Sequence, residues 1–266
     1  MSLTFASGPL AEHPAASNYR IEGPAHRLFF DDFPRRVRAT FAGEVVLDST
    51  HGKLLHETGL LPQLYVPRED VRMARFGASA HTSRCPWKGV AHYWDLVVGQ
   101  RTVRNAMWAY PEPLSTAPWL ADYVALYWDK LDEWRDEDEV VHGHLRDPYH
   151  RVDIRTATRH VEAVIGAQIV ALSEHPKMLS ETGLPNRWYF ASDEVRRDLL
   201  RPSTTHTTCP YKGAASYYDL WLGTHQITDV AWCYADPLPE SRAIAGYFCF
   251  ADEYVSVAPP AKSATR

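Results

Sequence analysis

Cys209, Pro210, Tyr211, Lys212 and Gly213 put a thiol and an ammonium three residues apart, and the same stretch, with Trp87 in place of the tyrosine, stands at Cys85 to Gly89. Proline fixes φ and keeps the cysteine before it extended, while glycine suits the close of a tight turn. The spacing therefore predicts a four-residue turn that brings the Cα atoms of cysteine and lysine within ~7 Å. A lysine so close can lower a thiol's pKa and make a thiolate nucleophile, or serve as a point charge for an anionic ligand. An inert cysteine beneath a turn whose lysine faces water fits the same residues.

Other groups stand at matched positions. Glu57 and Glu181 open the sequence E-T-G-L, where a carboxylate can act as a general base or form an ion pair with Lys212 or Arg159. Beyond the turn, alternation puts Ala91, Tyr93 and Asp95 on one strand face, and Ala215, Tyr217 and Asp219 on its counterpart. A phenol and a carboxylate there can line a pocket or bond to each other. Arg35 and Arg159 can clamp a carboxylate or phosphate or be merely solvated. Trp108 and Tyr110, with Trp232 and Tyr234, end a strand before Pro113 and Pro237, as core or as pocket lining. Candidate catalytic residues are thus Cys209, Lys212, Glu181 and Asp219, with Cys85, Lys88, Glu57 and Asp95. Candidate ligand contacts are Arg159, Tyr217 and Trp232, with Arg35, Tyr93 and Trp108. Cys233 and Cys249 read as small apolar fillers.

These residues are positioned by a duplicated element. Sliding the sequence by 124 gives a gapless match from Arg35/Arg159 to Tyr123/Tyr247, with about thirty of 89 pairs identical. Each unit exceeds solenoid-repeat length, so the chain is predicted to hold duplicated domains at 27–134 and 149–256. A linker or an ordered crossing strap is expected at 135–148, with terminal extensions at 1–26 and 257–266. Period-two patterns at 35–41, 44–49, 63–66, 91–98 and 101–110 predict strands. The segments WLADYVALYW and AIAGYFCF are ambiguous between a buried strand and a helix, and their aromatics favour a strand. The fold class is mainly β: two small barrels or folded sheets packed as a pseudo-symmetric pair in a monomer.

Several function classes are disfavoured. The net charge of −5 offers no clustered cations for a phosphate backbone, so nucleic acid is not an expected partner. No run reaches the ~18 apolar residues of a membrane span, and the N-terminus lacks a signal-peptide pattern. The four cysteines show no C-x-x-C spacing, and His142, His144 and His150 share no ligand spacing, so no metal is assigned. A cytoplasmic protein with reduced thiols is expected.

The stretches HLRDPYHRVDI, ETGLPNRWYF, TTHTTCPYKGAASYYDL and AWCYADPLPE, with FPRRVRATFAGEVVLDS, TSRCPWKGVAHYWDL and AMWAYPEPLS earlier, resemble the family catalogued as domain of unknown function 427. The resemblance spans about residues 27 to 255. It implies small β-rich domains, single or tandem, with a nucleotidyltransferase-like label. The positions matching the shared motif add Tyr65 and Tyr189 to the candidate ligand contacts. The first unit departs from the family at His92, where a serine is usual, and the second at FASDEV; the His92 departure makes the second unit the preferred site. No G-S…D-x-D arrangement or P-loop supports nucleotide transfer, and no cofactor is assigned. Three readings follow from the residues: an enzyme on a small polar or anionic molecule, a non-catalytic binding domain, and a structural or interaction module; the resemblance keeps a nucleotidyltransferase-like activity as a further alternative.

Overall fold

The computed structural model describes residues 16–20 and 22–259. In VRATF the period-two pattern becomes a strand with Val37, Ala39 and Phe41 buried, and VEAVI does the same with Val161, Ala163 and Ile165. Repeated along the chain, this alternation builds two mainly β units, Met1–Tyr149 and His150–Arg266.

The first unit contains β1 (Leu28–Asp32), β2 (Val37–Phe41), β3 (Glu44–Ser49), β4 (Lys53–Glu57), β5 (Gln63–Pro67), β6 (Phe76–Cys85), β7 (Gly89–Val98), β8 (Arg101–Ala109), β9 (Tyr123–Leu126), β10 (Glu133–Asp136) and β11 (Glu139–Val140). Its large sheet has the order β1-β4-β5-β9-β8-β7-β6 and its small one β11-β10-β2-β3. The second unit contains β12 (Val152–Thr156), β13 (Val161–Ile165), β14 (Gln168–Ser173), β15 (Lys177–Glu181), β16 (Arg187–Phe190), β17 (Leu200–Cys209), β18 (Gly213–Leu222), β19 (His225–Cys233), β20 (Phe248–Phe250) and β21 (Val255–Val257). Its sheets have the orders β12-β15-β16-β20-β19-β18-β17 and β14-β13-β21. The orders run from edge to edge with no closing pair among the described residues.

Each large sheet has two unlike faces. One joins the small sheet in a hydrophobic core, where, in the first unit, Ala39, Phe41 and Leu47 meet Leu54, Leu96 and Met107. The other carries Leu55, Tyr65, Ala91, Tyr93 and Tyr110, or Leu179, Tyr189, Ala215 and Tyr234 in the second unit. This aromatic face positions the candidate site.

Three expectations need correction. Residues 135–140 are not linker: β10 pairs with β2 and turns back through β11, because buried Trp134 gives the acidic stretch an anchor in the core. The supposed extensions contribute to the units, since Val257 pairs with Val161 and His26 bonds to Glu57; residues 1–15, 21 and 260–266 lie outside the described residues. The two ambiguous segments are strands only in part, each opening with a 3-10 turn, Pro118–Leu120 and Pro239–Ile244, before β9 and β20. The prolines favour that start, since they have no N–H for a ladder. No helix among the described residues is long and apolar enough to cross a membrane.

Candidate functional site

The repeated turn is fixed from its backbone outward. Lys212 N donates to Cys209 O at 3.3 Å, closing the predicted turn. Gly89 and Gly213 follow at φ +107° and +96°, where a Cβ would lie 3.2 Å from Glu112 O and 3.5 Å from Asp236 O. The turn thus docks on the segment after β8 or β19, held by Leu114 N to Lys88 O and Leu238 N to Lys212 O, both 3.1 Å. Gly89→Ala should cost about 1–3 kcal/mol from backbone strain. Gly213→Ala should cost less, for its approach is looser. Urea unfolding of the two variants will rank them; equal costs near zero would remove this reading of the turn.

Docking the turn sends its lysine inward to the E-T-G-L glutamate. Lys212 Nζ donates to Glu181 Oε2 at 2.6 Å, and His150 Nε2 lies 2.9 Å from Oε1. The Lys212 and Glu181 side chains are only 10% and 8% exposed. The first unit repeats this arrangement: Lys88 donates to Glu57 Oε2, and His26 Nε2 lies 3.0 Å from Oε1. Burial alone would raise the Glu181 carboxyl. The His150 hydrogen bond and the Lys212 ammonium outweigh it and hold the group at about 2. Each histidine packs on the aromatic residue of the turn. His26 lies flat on Trp87 at 4.8 Å between centroids, and His150 packs on Tyr211 at 4.2 Å.

Beside this ionic cluster lies the aromatic face. Trp108 Nε1 donates to Tyr65 Oη at 3.3 Å, and Lys88 Nζ sits 5.8 Å over the Tyr110 ring. Tyr93 shares a hydrogen bond with Ser83 at 2.8 Å, Tyr217 one with Thr207 at 3.2 Å. Burial raises the phenols of Tyr65, Tyr110, Tyr189 and Tyr234, which keeps these hydroxyls protonated. Cys85 and Cys209, half-buried free thiols, pack in the same clusters. Glu57, Tyr65, Cys85, Lys88, Tyr93 and Trp108 therefore converge, as do Glu181, Tyr189, Cys209, Lys212, Tyr217 and Trp232.

Four other candidates stand apart. Asp95 accepts from the Asn105 backbone N–H at 2.7 Å, and Asp219 from that of Asp229 at 2.9 Å. Asn105 and Asp229 have φ of 52° and 54°, so each carboxylate holds a left-handed residue in the next strand. Six residues of extended chain separate Asp219 from Gly213, roughly 20 Å at strand rise. No Tyr–Asp bond joins the face as the alternation suggested, because the β7 and β18 ladders shift register at these aspartates. Arg35 already forks Asp136 at 2.6 and 2.7 Å, tying β10 to the start of β2. Arg159 uses its backbone N–H on Glu174 O and sets its guanidinium 6.0 Å over Trp188.

Two site residues escaped the sequence reading. His26 falls in the expected N-terminal extension, and His150, at the start of the second domain, shares no ligand spacing with His142 and His144, yet P-x-H-R stands at both 24–27 and 148–151, at the same offset of 124. That short match lay just outside the long one. His92 also loses its significance for the site. It alternates with Tyr93 and faces away from the aromatic cluster. Across the strands Thr82 faces His92, whereas His206 faces Ser216, so the two units hold the same hydroxyl–imidazole pair in opposite order.

A family model described as Domain of unknown function (DUF427) matches residues 30–137 and again 153–259. No curated protein matches the chain.

Proposed function

Since the chain belongs to the DUF427 family, in two tandem copies, we propose that each unit binds a small polar or anionic molecule on its aromatic face, beside the Lys–Glu–His cluster. One observation carries this reading: the same nearly buried ion pair stands in both units beside half-open indoles, Trp108 and Trp232. A buried ion pair adds little stability over an apolar pair of the same volume, so its presence in both units points to use. A carboxyl at about 2 is far too acidic to take a proton as general base near neutral pH. That supports binding over catalysis by Glu181, with the glutamate holding Lys212 and His150 in place. The four cysteines are all thiols, which supports a reducing, cytoplasmic setting.

The test is a thermal-shift screen of nucleotides, sugar phosphates, amino acids and other small metabolites on two proteins. One is the wild type; the other carries Glu57→Gln, Lys88→Met, Glu181→Gln and Lys212→Met, which remove the charges and keep the volumes. A ligand at about 100 times its Kd adds roughly 2.7 kcal/mol. The wild type should show such a shift, and the neutralised variant should lose it while melting close to the wild type. A wild type that responds to nothing would sink the proposal.

A further inference from the structure

The two aromatic faces are framed differently. The offset of 124 aligns Tyr127 with Ala251, Gln63 with Arg187, Trp119 with Ala243 and Phe30 with Ile154. In the first unit the Tyr127 ring covers Trp108 at 4.4 Å, and Phe30 stacks on Trp119 at 4.5 Å. Burial, and then the Tyr93 phenol beside it, push Tyr127 up to about 12, so this cover is neutral.

In the second unit that cover is gone and a cation takes its position. The register that pairs Tyr189 with Cys249 sets Arg187 opposite Ala251. The Arg187 guanidinium lies 5.4 Å over the Trp232 ring. Asp252, half-exposed, accepts from Arg187 Nη1 at 2.5 Å. Arg187 alternates with Tyr189 and so projects from the aromatic face. With the covering phenol absent, Tyr217 is half-buried where Tyr93 is buried. The same indole therefore packs against a neutral, tilted phenol in one unit and lies beneath a planar cation in the other.

We propose that the second unit's site selects an aromatic carboxylate, its ring against Trp232 and Tyr217 and its carboxylate in the Arg187 fork, while the first unit's site does not take an anion there. This rests on the reading of the aromatic face as a ligand site. A guanidinium matches a carboxylate in plane and in spacing, through two parallel N–H···O bonds. Gln63 has neither the charge nor the fork, which makes Arg187 the residue that sets specificity.

The experiment is calorimetric titration of the full chain with benzoate and with its uncharged isostere benzamide. The wild type should bind one benzoate per chain, at least about tenfold more tightly than benzamide, given the strength of a charge-assisted pair. Arg187→Gln should abolish that preference. Gln63→Arg with Tyr127→Ala, which copies the second frame into the first unit, should add a second equivalent of benzoate. Equal binding of the two probes, or a benzoate affinity unchanged by Arg187→Gln, would overturn the proposal. So would a wild type that ignores benzoate but binds another compound of the metabolite screen, and in that case the ligand-site reading itself survives. Silence toward every compound would remove both.

Discussion

Lys212→Ala should destabilise the second unit by about 3–5 kcal/mol, lowering its melting temperature by on the order of 10 °C. The ammonium is the charged partner of Glu181 Oε2. Removing it leaves a carboxylate 8% exposed, with only His150 to compensate it. Most of the loss is the cost of that uncompensated charge, not the worth of the pair. The combination Glu181→Gln with Lys212→Met separates these quantities: the amide still accepts from His150 and no charge is stranded. It should recover most of the stability lost in Lys212→Ala. Chemical denaturation of the three proteins decides the matter. If the paired variant falls as far as the single one, the ion pair is a net stabiliser, and the argument from its presence in both units loses force. Lys88→Ala should behave alike in the first unit, where Lys88 donates to Glu57.

Part of this site was legible in the sequence because its signals are local. Cys–Pro–aromatic–Lys–Gly encodes its own turn, and strand alternation names the face on which Tyr93 and Tyr217 fall. The aim of the lysine was not legible. Turn spacing alone placed it near the thiol, but its direction comes from the docking of Gly89 and Gly213 on the Glu112 and Asp236 carbonyls, a contact between distant segments. Asp95 and Asp219 misled for a similar reason. Period two holds only while the ladder is regular, and both strands shift register at those aspartates. Asn105 and Asp229 were the available hint, since Asn and Asp tolerate positive φ better than other side chains. The stretch from 135 to 140 reads as linker because most of its residues are charged, yet Trp134 alone suffices to seat β10.

Acid should remove the Glu181 contribution in a defined window. In the unfolded chain this carboxyl titrates near its ordinary 4.5; in the fold it is held at about 2. A group depressed by folding contributes fully above the unfolded value, because the unfolded state binds the proton first as pH falls. The contribution, about 3 kcal/mol at this separation, is thus present at pH 5 and above and is lost progressively as pH falls from about 4.5 to about 2. Asp48 and Asp132 are lowered as well, each chiefly by a hydrogen-bonded arginine, Arg36 and Arg101. Both are exposed pairs screened by water and salt, so their share is small. Subtracting the stability–pH curve of Glu181→Gln from that of the wild type cancels them in any case. The difference should shrink by about 3 kcal/mol between pH 5 and pH 2. A flat difference would mean that Glu181 titrates alike in the folded and unfolded chains, and that Lys212 and His150 do not hold its charge. A difference that instead widened with acid would show a carboxyl raised by burial, one able to serve as a proton carrier near neutral pH, and would return the catalytic reading to first place.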